Sequence, residues 1–216
     1  MASRRREWGG AVRSSSVPRA VIFDVGGVLL RRGGRAARRA WEERLGLAEG
    51  DLDRVQAECI GSGWEGGRTE HEINERLMSA TGIRSADLPC LLDAPDADHH
   101  LEPALVQFIR GIRPRCHVGV LANAGPASRE RWSRQFALDQ LVDAIVVSAE
   151  EGISKPDVRI YRLAAGRLGV PPGECVFVDD KEGNVAGARA AGMTAVHHVA
   201  AAETVSALRA LFGGRR

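Results

Sequence analysis

The chain has 216 residues, enough for one ordinary domain or a domain carrying a small insertion. Apolar residues make up 44% and charged residues 27%, the balance of a water-soluble globular protein, and a net charge of +2 implies no preference for nucleic acid or membrane. The basic residues are lopsided: Lys155 and Lys181 are the only lysines among 30, so a lysine at a motif position stands out against an arginine background.

Residues 1–17, rich in Arg, Ser and Gly, read as a disordered basic leader, with Glu7, Trp8, Gly9 and Gly10 where a signal peptide would carry its apolar stretch. From Ala20 to Phe23 a short apolar run ends at Asp24 and a glycine pair, the pattern of a buried strand entering a turn. The whole run to Leu30 is too short to span a bilayer. Residues 31–102 carry no convincing strand. They show helical patterns around Ala37–Leu45, Asp51–Ile60, Glu70–Ser79 and Ser85–Leu92, with Ile73, Leu77 and Met78 as a core-facing stripe and a turn at Trp64–Thr69. This interval reads as an inserted helical cap, with Trp41 and Trp64 as packing residues and His99-His100 as a linker at its far end. Beyond it, Leu105, Phe108, Ile109 and Ile112 repeat at helical spacing before a strand at Val118–Leu121 and another at Ala144–Val147. Tyr161, Ala164, Ala165 and Leu168 mark the next helix, leading from Pro156. Then come a strand at Val176–Val178, a helix from near Glu182, a strand at Thr194–Val196 and a helix from Glu203 to Leu211. Strands alternating with helices predict an α/β fold, a Rossmann-like doubly wound parallel sheet built from residues 18–30 and 103–216.

Four cysteines without C-x-x-C spacing argue against a zinc site or disulfide framework and fit a reducing cytoplasm. Chemistry is expected at the carboxyl ends of the strands, where a doubly wound sheet binds its ligands. The residues placed there are Asp24, Ala122, Asn123, Asp179 and Asp180, with Lys155 in a loop. Three crowded carboxylates are unfavourable unless a cation offsets them, and hard oxygen donors suit Mg2+. A carboxylate held beside a metal and a lysine can attack phosphorus.

These residues carry a family resemblance. Val21-Ile-Phe-Asp24-Val-Gly-Gly-Val-Leu-Leu30 resembles the first motif of the haloacid dehalogenase superfamily. Leu121-Ala-Asn-Ala124 is similar to the second, Ser154-Lys-Pro-Asp157 to the third and Phe177-Val-Asp-Asp-Lys-Glu-Gly-Asn-Val-Ala-Gly-Ala188 to the fourth. The helical insertion sits where the subgroup with a cap after the first motif has it. The resemblance implies a Mg2+-dependent hydrolase for a small phosphorylated molecule, with Asp24 as nucleophile and metal ligand and Gly26 lending its backbone carbonyl to the metal. It further implies that Lys155 holds the nucleophile and phosphoryl oxygens and that Asp180 ligates the metal directly. Asp179 and Asn184 support the metal or its waters, and Asn123 lines the phosphoryl pocket.

Two positions depart from the family's phosphatases. Gly26 replaces an Asp that protonates the leaving group, and Ala122 replaces a Ser or Thr whose hydroxyl binds a phosphoryl oxygen. A lost general acid costs about 10²–10⁴-fold and a lost oxyanion donor roughly 3–4 kcal/mol, together on the order of 6–9 kcal/mol. Phosphatase remains the leading expectation. The main rival is a catalytically reduced or repurposed scaffold; a 2-haloacid dehalogenase fits less well, because Gly26 and Ala122 both disagree with it and it needs no metal. A phosphonate hydrolase using a cap lysine is excluded, since residues 31–102 contain no lysine.

Overall fold

A computed structural model describes residues 17–31, 33–60, 69–97 and 99–213. The leader through Ser16 and the turn at Trp64–Arg68 lie outside these residues. In chain order the elements are β1 (Ala20–Phe23), β2 (Leu30–Arg31), α1 (Ala36–Leu45), α2 (Asp51–Ile60), α3 (Glu70–Thr81), α4 (Leu88–Ala97), β3 (His100–Leu101), α5 (Pro103–Ile112), β4 (His117–Ala122), α6 (Ser128–Phe136), α7 (Leu138–Leu141), β5 (Ala144–Val147), α8 (Ser148–Glu151), α9 (Val158–Arg167), β6 (Cys175–Asp179), α10 (Glu182–Ala190), β7 (Thr194–His197) and α11 (Ala201–Phe212).

Five strands form one parallel sheet in the order β5-β4-β1-β6-β7. The chain builds outward from β1 through β4 to β5, then crosses back to lay β6 and β7 on the other side. The order therefore reverses beside β1, and at such a switch point the loops diverge and leave a crevice. Alternate β1 residues serve opposite faces, as the two-residue period of a strand requires. Val21 and Phe23 join an apolar cluster with Leu105, Ile109, Trp132 and Leu208. Ala20 and Ile22 join the second cluster, with Ile160, Tyr161, Phe177 and Ala188. Both faces are covered, which is why the strands read as continuous apolar runs.

Between β1 and β4 the chain leaves the sheet. The antiparallel pair β2–β3, with Leu30 opposite Leu101 and Arg31 opposite His100, joins the outgoing and returning segments. His100 is thus a strand residue at this junction. Helices α1–α4 enclose a separate apolar cluster of Leu52, Cys59, Leu77, Ile83, Leu88 and Leu91. Leu77 and Ile73 are buried and Met78 packs against the cluster, so the stripe read from spacing faces inward. Local signals set the ends of these helices. Thr69 and Glu72 form a reciprocal capping box on α3, and Gly46 and Gly82 close α1 and α3 in the left-handed conformation.

Several boundaries differ from the sequence reading. Helix α4 starts at Leu88, because Ser85–Asp87 form a turn, and it runs to Ala97. Helix α9 starts at Val158 rather than near Pro156, since Asp157 caps it by accepting from the Arg159 amide. Helix α6 was not anticipated: Ser128–Phe136 has only Trp132 and Phe136 as apolar residues, too few for a helical stripe to register.

Helix α10 lies close against the loop before α9. A Cβ built on Gly187 would fall 2.6 Å from the Pro156 carbonyl oxygen and 2.8 Å from the Tyr161 hydroxyl. Gly187→Ala is expected to destabilise the protein by about 1–3 kcal/mol through overpacking, lowering Tm by roughly 2–4 °C per kcal/mol. Calorimetry checks it; an unchanged Tm refutes this close approach.

Candidate active site

Register alone brings two carboxylates together. Phe23 lies opposite Val178 in the β1–β6 pair, so the next residue of each strand, Asp24 and Asp179, emerges side by side at the carboxyl edge. The Asp24 amide donates to the Val178 carbonyl at 2.8 Å, extending the pairing to Asp24 itself. Lys155 reaches in from the loop before α9. Its Nζ donates to Asp24 Oδ1 and to Asp179 Oδ2, both at 2.7 Å, and all three side chains are buried.

Each group is held by others. Asp179, fully buried, also accepts from the Lys181 amide at 2.8 Å and from Asn184 Nδ2 at 3.0 Å to each carboxylate oxygen. Asn184 in turn lies beside Tyr161, whose hydroxyl donates to the Asn184 carbonyl at 2.8 Å. Asn123 spends its amide on the Lys155 backbone. Its Nδ2 donates to the Lys155 carbonyl at 2.9 Å and its Oδ1 accepts from the Lys155 amide at 2.8 Å. Asn123 lines the cavity, yet its visible work is to fix the lysine loop. Asn184 grips Asp179 rather than capping α10.

Asp180 differs from its neighbour. One carboxylate oxygen each from Asp24, Asp179 and Asp180 lie within 4.8 Å of one another, and Asp180 Oδ1 is buried with no hydrogen-bond partner among the described residues. Leaving a buried carboxylate oxygen unsatisfied is costly, and three carboxylates against one ammonium leave negative charge uncompensated. Both observations fit a divalent cation with a preference for oxygen donors. Gly27 makes room for this arrangement: its φ is +86°, and a Cβ there would lie 2.6 Å from Asp180 Oδ2. Gly26 is unlike it. Its φ is ordinary, and a Cβ there would meet nothing within 4 Å. Glycine is thus not required at the position where an acid would stand.

The cavity over these groups measures about 360 Å³ and is lined by Asp24, Gly26, Ala122, Asn123, Lys155, Asp180 and Asn184, together with His99 and Trp132. All eight positions expected at the site are within this small region, Asp179 just beneath the cavity floor. Lys181 is exposed at the rim, as a surface residue should be. His99 and Trp132 were missed. His99 was read as linker because nothing in its spacing suggests a site, and Trp132 belongs to the helix without an apolar stripe. Only folding brings either one over Asp24.

Burial pushes the Asp24 carboxyl up to about 6; Lys155 pulls it down and Asp179 adds to the rise. Between about pH 3.8 and 6 the folded metal-free protein therefore keeps a proton at Asp24 that the unfolded chain has released. The stability gained is fully present below about 3.8 and is lost as pH rises through about 6. Urea unfolding in chelator should show wild type losing stability relative to Asp24→Asn between pH 4 and 7. Parallel curves for the two proteins would refute the raised carboxyl.

A parallel α/β sheet with a carboxylate, a lysine and an acidic pair at its switch point defines a class of hydrolytic enzymes, and comparison with known proteins names it. The chain belongs to the haloacid dehalogenase-like hydrolase family, whose model matches residues 18–192. It is 34% identical over 196 residues to a phosphatase of Mycobacterium tuberculosis, covering 82% of this chain and 85% of that protein. It is 31% identical over 212 residues to acyl-CoA dehydrogenase family member 10 of Mus musculus, covering 90% of this chain but only 19% of that much longer protein. Among solved structures, a family enzyme of Bacteroides thetaiotaomicron in complex with magnesium and inorganic phosphate superposes with a TM-score of 0.68 at 17% identity, covering 85% of this chain and 95% of that one. Among the described residues no helix is long and apolar enough to cross a membrane.

Proposed function

We propose that this hydrolase is a magnesium-dependent phosphatase acting on a small phosphorylated molecule through an aspartyl-phosphate on Asp24. The observation that carries the reading is Lys155 bridging Asp24 and Asp179 beside the unpartnered Asp180 oxygen. The likeness to the mycobacterial phosphatase supports it.

Lys155 fixes the Asp24 carboxylate and presents positive charge to the phosphoryl group. Asp24 attacks phosphorus, the bond from phosphorus to the leaving oxygen breaks, and water then attacks the acyl phosphate to release inorganic phosphate and restore Asp24. Asp24, Asp180 and the Gly26 carbonyl are the groups that would hold magnesium. The ion would neutralise charge on the transferring group. Asp179, Asn184 and Asn123 act through Lys155: Asp179 accepts from its ammonium, Asn184 holds Asp179 in place, and Asn123 holds the lysine's backbone. Residues 31–102 serve as the cap over this centre.

Gly26 supplies no proton to the leaving oxygen and Ala122 no hydroxyl to the phosphoryl group, which favours substrates whose leaving group departs without an acid. The same two positions favour the second reading, a scaffold that still binds magnesium and ligand without turnover. A dehalogenase would have no use for the acidic pair.

Two measurements decide between them. Phosphate release from a panel that includes sugar phosphates and an acyl phosphate should require both Mg2+ and Asp24, with Asp24→Asn at least about 10³-fold slower while remaining folded by circular dichroism. Silence across the panel with Mg2+ still bound selects the repurposed scaffold. Gly26→Asp, which the open space at that position accommodates, should raise turnover of small alkyl phosphates by about 10²-fold or more. No gain would place the limit elsewhere than at the missing acid.

A further inference from the structure

A second cavity, of about 270 Å³, lies beyond the first, between α2, α3 and α4 on one side and α6 on the other. The two share Gly26, Leu30, His99, Ala124 and Trp132 in their linings, so they adjoin. A molecule with its phosphoryl group at Asp24 would extend its remaining atoms into this second space. Gly26 stands where the two meet, with nothing within 4 Å of where its Cβ would be, and so leaves the passage open.

The lining selects the chemistry. Leu30, Cys59, Ile73, Leu77, Leu92 and Trp132 present aliphatic, thiol and aromatic surface. Five polar side chains interrupt this surface: the amides of Gln56 and Asn74, the His99 imidazole, and Ser128 and Arg131, which are bonded to each other at 3.3 Å. No carboxylate lines the space among the described residues. A hexose carries several hydroxyls that would each need a partner on burial, and leaving them unpaired is costly. A hydrocarbon chain loses nothing and gains from the transfer. At ~30 Å³ for each water-sized group, the cavity holds roughly nine or ten heavy atoms.

Resting on the phosphatase reading above, we propose that the substrate is a monophosphate with an apolar acyl or alkyl body of roughly ten heavy atoms, seated in the cavity between the inserted helices and α6. The shared chemistry is a phosphoryl group on a hydrocarbon chain. An acyl phosphate has a leaving group that needs no proton, and an alkyl ester has one that does.

The test is binding of n-alkylphosphonates, methyl to dodecyl, to the full chain in Mg2+ by calorimetry, with glucose 6-phosphate alongside. These phosphonates are not turned over, so the series reads the cavity whether or not the protein hydrolyses anything. Affinity should rise roughly three- to fourfold per methylene, from ~0.8 kcal/mol for each buried CH₂, and level off near eight to ten carbons. Asn74→Trp should bring the plateau to shorter chains. A flat series, tighter binding of glucose 6-phosphate than of octylphosphonate, or a plateau unmoved in Asn74→Trp would overturn the proposal. If chain length governs binding but no phosphate is released, the phosphatase reading fails while the cavity's preference for an apolar phosphorylated ligand stands; Asp24-dependent hydrolysis without chain dependence is the reverse. Hydrolysis of octanoyl phosphate alone would identify acyl phosphates as the source, and hydrolysis of octyl phosphate as well would identify alkyl esters. Acetyl phosphate turned over faster than either would count against the apolar body.

Discussion

The ammonium of Lys155, held 2.7 Å from carboxylate oxygens of both Asp24 and Asp179, is the contact on which the rest of the site depends. Removing a charge from water is expensive, and a buried lysine persists only where its partners repay that cost in geometry. Here repayment requires Asp24 and Asp179 on adjacent strands in matching register, Asn123 pinning the lysine's own peptide, and Asn184 gripping Asp179 from the first turn of α10. The close approach of α10 to the loop before α9, possible because residue 187 is glycine, places these supports within reach of one another.

The same arrangement is deliberately short of positive charge. One ammonium serves two buried carboxylates, and Asp180 adds a third with an oxygen that nothing among the described residues satisfies. Burial answers part of the deficit by pushing Asp24 toward its protonated form. A hard divalent cation would answer it better, since it would favour the carboxylate form of Asp24.

Above that centre the turn at residues 26–30 has two duties. Gly27 permits the approach of Asp180, and Gly26 leaves open the way into the apolar space under α3 and α4. Gly26 thus borders both the cavity over Asp24 and the adjoining, largely apolar one. The helices between β2 and β3 are tied back to the sheet by that short antiparallel pair, which keeps their cavity in line with the strand edge.

Much of this was legible in the residues themselves. Apolar runs marked the strands of the parallel sheet, because a strand covered on both faces, as β1 and β6 are, has few polar positions to interrupt it. Four motifs at strand ends marked Asp24, Ala122, Asn123, Lys155, Asp179 and Asp180, because catalytic groups in such a sheet come from the turns that leave its carboxyl edge. The sequence did not show which partner each would take: Asn123 read as a pocket residue and Asn184 as a support for the metal or its waters, and packing sets them against the Lys155 backbone and Asp179. Nor did it show His99 and Trp132, whose place over the site depends on how the inserted helices and α6 lie on the sheet. Strand pattern and motif order are local properties that the sequence determines by itself. Which side chains meet across 20 to 130 residues of chain is decided by packing, and only the tertiary structure records the result.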